Sequence, residues 1–154
     1  MKRMLAVACA AGCSSGGGGS AGTSGSDAAG SGSGVTFSQF SLSGSVSDSL
    51  ATLTNVRVVV GVARPSDLPQ AIYCERLLVH DDHMAPALPT SYSLSQLPYG
   101  NLTLVALVLP SQTSKAPYAA YPLTVDNEGV HYLSPMTTTK VDLSIQGTAP
   151  YECP

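Results

Sequence analysis

The stretch Ser91-Tyr-Ser-Leu-Ser-Gln-Leu-Pro-Tyr-Gly-Asn-Leu-Thr-Leu-Val-Ala-Leu-Val108 decides how the chain is read. Tyr92 and Leu94 alternate with serines, the period-two pattern of a half-buried strand. Pro98-Tyr99-Gly100-Asn101 follows as a turn. Proline presets φ at one turn position, and glycine takes positive φ at another without steric cost. From Leu102 to Leu109 the chain is apolar on both phases, as a central strand covered on both sides must be.

The same period runs outward in both directions. Phe40, Leu42, Gly44 and Val46 share one face, while Val35 and Phe37 lie in the opposite phase. A bulge or break near Ser38-Gln39 reconciles the two. Val56, Val58, Val60 and Val62 alternate with Arg57, Val59, Gly61 and Ala63. Ile72 to His80 predicts a third strand, with Tyr73, Leu77 and Val79 in phase. Tyr118 to Val125 follows, then the hairpin turn Asp126-Asn127-Glu128-Gly129, then Val130 to Leu133, and Val141, Leu143 and Ile145. Pro122 places its run at a sheet edge, because proline cannot donate to a ladder. Pro, Gly, Asn and Asp punctuate these runs, and no stretch of a dozen residues carries a helical stripe free of breakers.

The Tyr92-x-Leu94-x-x-Leu97-Pro98-x-Gly100 pattern resembles the strand–turn–strand hairpin of prealbumin-like domains, which include carboxypeptidase regulatory-like and Cna-B-type modules. Ser43-Gly44-Ser45-Val46 is similar to their opening strand, and Val56 to Val62 to their second. The resemblance covers about Phe40 to Ile145. It departs at Ser91, where the family often has glycine, and at Leu102, where it often has an aromatic. The resemblance implies an all-β fold: an antiparallel Greek-key β-sandwich of about seven or eight strands over residues 35–154.

The first 34 residues have different physics. Lys2 and Arg3 precede a short apolar run from Met4 to Ala11, and small residues lead to Cys13. That order is the order of an export signal, and the run is far too short to span a bilayer. Ala10-Ala11-Gly12-Cys13 resembles the lipobox of bacterial lipoproteins, with Ala10 where the family prefers Leu. The resemblance implies a signal over residues 1–12 and lipidation at Cys13. The rival box ending at Cys9 would leave too short an apolar run to insert. Ser14 to Gly34 holds nine glycines and seven serines, a composition that cannot offset the entropy of ordering. It is expected to act as a flexible tether with an r.m.s. span of roughly 25 Å. Ser14, in place of Asp, implies by the same resemblance sorting to the outer membrane.

Charge narrows the partners. The chain has seven Lys and Arg against ten Asp and Glu. Loss of Lys2 and Arg3 with the signal makes the domain more acidic still. That sign excludes a nucleic-acid footprint and a polybasic hold on anionic lipid. The only membrane partner expected is the one reached through the lipid anchor. With Cys9 discarded and Cys13 lipidated, Cys74 and Cys153 remain. In an oxidising compartment this pair is expected to form a disulfide; two buried free thiols are the alternative.

Two groups could carry chemistry. His80, Asp82 and His83, with Asp81 between them, are residue types that bind zinc or a similar ion. A continuing strand would send them to opposite faces, and a solvated polar loop after the strand is the expected reading. Tyr99, in a turn, and Tyr151, near the end, are candidate binding residues, since exposed tyrosine is large, rigid and amphipathic. Packing with hydroxyls at the rim is the alternative. No Gly-x-Ser-x-Gly elbow occurs in residues 35–154. The expectation is a non-catalytic envelope lipoprotein without a cofactor. It would bind an envelope protein or glycan as an adhesion or scaffold module, with metal binding through His80–His83 or carbohydrate binding as the alternatives.

Overall fold

A strand that is apolar on both faces needs two covers, and the architecture supplies them. The computed structural model describes residues 34–48, 53–68, 71–109 and 114–154. The expected signal, the lipidation expected at Cys13 and most of the Gly/Ser tract expected to act as a tether lie outside the described residues. The strands are β1 (Leu42–Ser47), β2 (Thr54–Ala63), β3 (Ile72–Tyr73), β4 (Val79–Ala87) and β5 (Thr90–Leu94). Then come β6 (Gly100–Leu109), β7 (Lys115–Val125), β8 (Val130–His131), β9 (Leu143–Ser144) and β10 (Gly147–Glu152). They form a β-sandwich of two sheets. The larger runs β3-β10-β7-β6-β2-β4, with β8 also on β7, and the smaller runs β5-β1-β9.

The period-two reading assigns the faces of the larger sheet. Val58, Val60 and Val62 of β2 sit with Leu104, Ala106 and Val108 of β6 in the core between the sheets. Leu42, Val46, Tyr92, Leu94 and Leu143 of the smaller sheet close that core. The opposite face is also buried. Val59 and Ala63 of β2 and Val105, Leu107 and Leu109 of β6 lie in a second cluster with Ile72 and Leu77. Those last two come from the 64–78 crossover, which holds two short 3₁₀ turns (Pro65–Asp67 and Cys74–Arg76) and β3. The crossover is stapled down by the Cys74–Cys153 disulfide, Cα to Cα 5.0 Å, which closes a separation of 79 residues. In the chain-entropy account a loop of that length stabilises by at most about 4–5 kcal/mol.

Several expectations are corrected. The strand expected over 72–80 is two strands parted by the Cys74–Arg76 turn. The polar loop expected at His80–His83 is strand, because β4 pairs with β2 in unbroken register from Val62↔Val79 to Val58↔His83 and beyond. The count is ten among the described residues, since the 72–80 run divides into β3 and β4, and β10, which shows no apolar alternation, adds another. The sandwich is mostly antiparallel, with β1–β9 and β3–β10 pairing parallel. Pro122 is not on an edge strand, as β7 lies between β6 and β10. Its position is still consistent with its missing donor: β10 pairs with 115–118 and β8 with 124–125, and Pro122 falls between them.

Two glycines are set by close approach. A Cβ on Gly44 would stand 1.8 Å from the Val141 carbonyl oxygen, and one on Gly61 would stand 2.8 Å from that of Val79. At Gly44 the chain 139–141 runs parallel beside β1: Ser43 N–H donates to Thr139 O (3.0 Å), and Val141 N–H donates to Ser43 O (2.9 Å). The buried Tyr92 hydroxyl donates to Val141 O at 2.8 Å. Burial holds the Tyr92 phenol well above its ordinary pKa, so it remains a donor. Gly44→Ala is expected to cost about 2–3 kcal/mol in urea unfolding, as overpacking against backbone does. Gly147→Ala, whose Cβ would meet its nearest neighbour at 3.6 Å, is expected to stay within about 0.5 kcal/mol of the parent.

Candidate functional site

The polar side chains of β4 fall on two faces because a strand alternates. His80, Asp82 and Met84 project with the Val59 face of the larger sheet. Asp81, His83 and the buried Ala85 project toward the inter-sheet side. β4 is an edge strand, and charged residues on an edge discourage pairing with other chains. That role accounts for the concentration of His and Asp here without a ligand.

On the outer face Asp82 is held by Arg57 of β2. Arg57 Nε donates to Asp82 Oδ1 at 2.9 Å and Nη2 to Oδ2 at 2.7 Å, a two-pronged pair. Arg57 Nη1 also donates to the Pro154 main-chain oxygen at 2.5 Å. The Arg57 hydrogen bond lowers the Asp82 pKa, and Asp82 in turn raises that of Arg57. Beside this pair an open cleft of about 470 Å³ is bordered by Leu53, Val56, Met84, Leu109 and Tyr151. Met84 is 66% exposed. A guanidinium among an exposed thioether, a tyrosine and aliphatic groups suits a contact surface.

On the other face Asp81, His83, Thr90 and Ser93 form a relay. His83 Nδ1 lies 3.1 Å from Asp81 Oδ1, and Nε2 lies 3.1 Å from Thr90 Oγ1. Ser93 N–H donates to Asp81 Oδ2 at 2.9 Å. The relay fastens the edge of the larger sheet to β5 of the smaller one.

The sequence-derived residues separate accordingly. Cys74 and Cys153 are joined. The metal set His80, Asp82 and His83 is not brought together: Asp82 is taken by Arg57, His83 lies on the opposite face, and His80 borders a shallow notch with Phe37 and Gln96. Among the described residues no three His, Cys, Asp or Glu side chains are placed to share an ion. Tyr99 and Tyr151 do not share a surface. Tyr99, 40% exposed, precedes β6, whereas Tyr151 borders the cleft at Leu109, the far end of that strand. Ten residues of strand at about 3.3 Å each separate the two ends.

Other tyrosines serve packing. Tyr121 and Tyr132 meet edge to face at 5.6 Å, and Tyr121 O–H donates to Ser144 O at 3.2 Å. Sequence reasoning missed Arg57. Its signal was a lone cation in a valine run. Compared with models of known families, with curated proteins and with solved structures, the chain matches none.

The Arg57–Asp82 pair is partly exposed, so its coupling is expected to be about 0.5–1 kcal/mol. A double-mutant cycle with Arg57→Ala and Asp82→Ala, read by urea unfolding, measures it. Because the folded-state pKa of Asp82 is depressed, the coupling is present above the ordinary carboxylate value. It is lost as pH falls through the lower folded value. A coupling that grew on acidification would contradict this assignment.

Proposed function

We propose that the chain is a lipid-anchored module of a bacterial cell envelope that binds a protein or glycan partner without catalysing a reaction. One observation carries the reading: the order Lys2-Arg3, apolar run, small residues, Cys13 and Gly/Ser tract ahead of a separate β domain. A diacylated cysteine followed by a tether of roughly 25 Å lets a domain stand off a surface and meet a neighbour. The Cys74–Cys153 disulfide fits an oxidising, exported environment. The resemblance of Ser14 to lipoprotein sorting signals favours the outer membrane. The partner surface is the cleft of Arg57, Met84 and Tyr151, where apolar groups surround one oriented cation.

Metabolic labelling with an alkynyl fatty acid in bacterial cells tests the anchor. The parent chain and Cys9→Ala are expected to be labelled and to sediment with membranes. Cys13→Ala is expected to lose both. Labelling that survived Cys13→Ala would overturn the anchor.

A second reading, from a different class, has one observation in its favour. Asp81, His83 and Thr90 hold the donor order of a hydroxyl activated by imidazole. In that reading Thr90 Oγ1 attacks an ester carbonyl while His83 Nε2 takes its proton. The leaving alcohol then receives that proton, and water releases the acyl group. Mass spectrometry after incubation with p-nitrophenyl acetate separates the readings. The binding reading expects no acetyl adduct on Thr90. An adduct that disappeared in His83→Ala would establish the acyl-transfer reading instead.

A further inference from the structure

The turn and loop after β7 contain a histidine whose two ring nitrogens both face acceptors. His131 Nε2 lies 3.1 Å from Asp126 Oδ1, and Nδ1 lies 2.9 Å from the Pro135 carbonyl oxygen. A carbonyl oxygen never donates, and an ionised carboxylate only accepts. Neutral imidazole has one N–H and satisfies one of them; imidazolium has two and satisfies both. Asp126 is held ionised by the same turn, because Oδ1 also accepts from Glu128 N–H at 2.8 Å and Gly129 N–H at 3.1 Å. These bonds, the Glu128 N–H first, lower its pKa.

The loop that His131 ties down is otherwise lightly held at its tip. Leu133 has φ of +55°, a costly conformation for a branched side chain. Leu133 and Met136 are 73% and 77% exposed. The base is firmer: His131 bridges Thr137, and Thr138 N–H donates to Val130 O at 2.7 Å. Thr137 to Thr139 form one wall of an open cleft of about 420 Å³ that also meets Phe40, Ser43 and Ser93.

We propose that His131 is a protonation-operated latch. As imidazolium it bonds the Asp126 turn and the Pro135 carbonyl together and holds the tip carrying Leu133 and Met136. Loss of one proton removes the bond to Pro135. The remaining N–H stays on Nε2, where the carboxylate is the stronger acceptor, and the Nδ1 lone pair then faces the Pro135 oxygen. The tip is released, while its base stays in the ladder. The charged groups that bear on His131 are the carboxylates of Asp126 and Glu128; Thr124, paired with it on β7, and Thr137, bridged to it, are neutral. The Asp126 bond first, and the Pro135 bond after opposing burial, raise the pKa of His131 above its ordinary value. The latch is therefore closed below the ordinary histidine range and opens as pH rises through the raised folded value. It is independent of the anchor.

NMR titration of His131, together with chymotryptic cleavage at Leu133 and Met136 normalised to a peptide substrate, tests the latch on the full chain. The His131 pKa is expected above that of a histidine in an unstructured peptide. Normalised cleavage is expected to rise about tenfold from pH 5.5 to pH 8.5, the loss of one charge-assisted hydrogen bond. His131→Gln is expected to be cut rapidly at both pH values, and Asp126→Asn to lower the His131 pKa. A His131 pKa at or below that of a histidine in an unstructured peptide, or parent cleavage that ignores pH, would overturn the proposal. If His131→Gln alters unfolding, the titration of the parent chain still decides.

Discussion

The structure depends on covering β2 and β6 twice. These adjacent strands bury valines and leucines on both faces, so a two-layer sandwich alone would leave one face wet. Removing apolar surface from water is worth roughly 25 cal/mol per Å², and neither face is dispensable in a domain of this size. The smaller sheet covers one face. The 64–78 crossover covers the other, where Ile72 and Leu77 meet Val59, Val105 and Leu107. That crossover has little regular structure of its own. The disulfide to Cys153 and the parallel pairing of β3 with β10 hold it in place. Gly61 belongs to the same constraint, since a side chain there would strike Leu77, Val79 and His80 where the crossover descends into β4.

The polar side chains are arranged around that doubly covered centre. β4, at the edge, carries the run His80-Asp81-Asp82-His83, which deters further pairing. On its outer face the Arg57–Asp82 pair stands at the mouth of a cleft with Met84 and Tyr151. On its inner face the Asp81–His83–Thr90 relay ties the two sheets at their corner. Within the smaller sheet, Gly44, Tyr92 and Val141 tie β5 to the chain beyond β1, where a phenol reaches a backbone oxygen that the absent Cβ leaves open.

Legibility followed the range of the interactions. The valine alternation of β2, the Pro98–Gly100 turn and the Asp126–Gly129 turn depend on neighbours in sequence and were readable. Gly100 and Gly129 do take positive φ, and the chain does break at Ser38, whose hydroxyl donates to Leu97 O at 2.8 Å. The His80–His83 segment was misread because its polarity suggests a loop, whereas its ladder partner lies about twenty residues upstream. β10 was missed because Gly147-Thr-Ala-Pro-Tyr-Glu has no apolar period; it is strand only because β7 and β3 lie on either side.

By itself the sequence determined the class of fold, the two-faced burial of β6 and the cysteine pair. Each of these is written in local period, composition or count. Only the tertiary structure decided that Arg57 meets Asp82, that His80 and His83 face apart, that Tyr99 and Tyr151 stand at opposite ends of β6, and that both nitrogens of His131 find acceptors. Those facts depend on which strands become neighbours and in what register. A one-residue slip would reverse every face, so no local pattern could have assigned them.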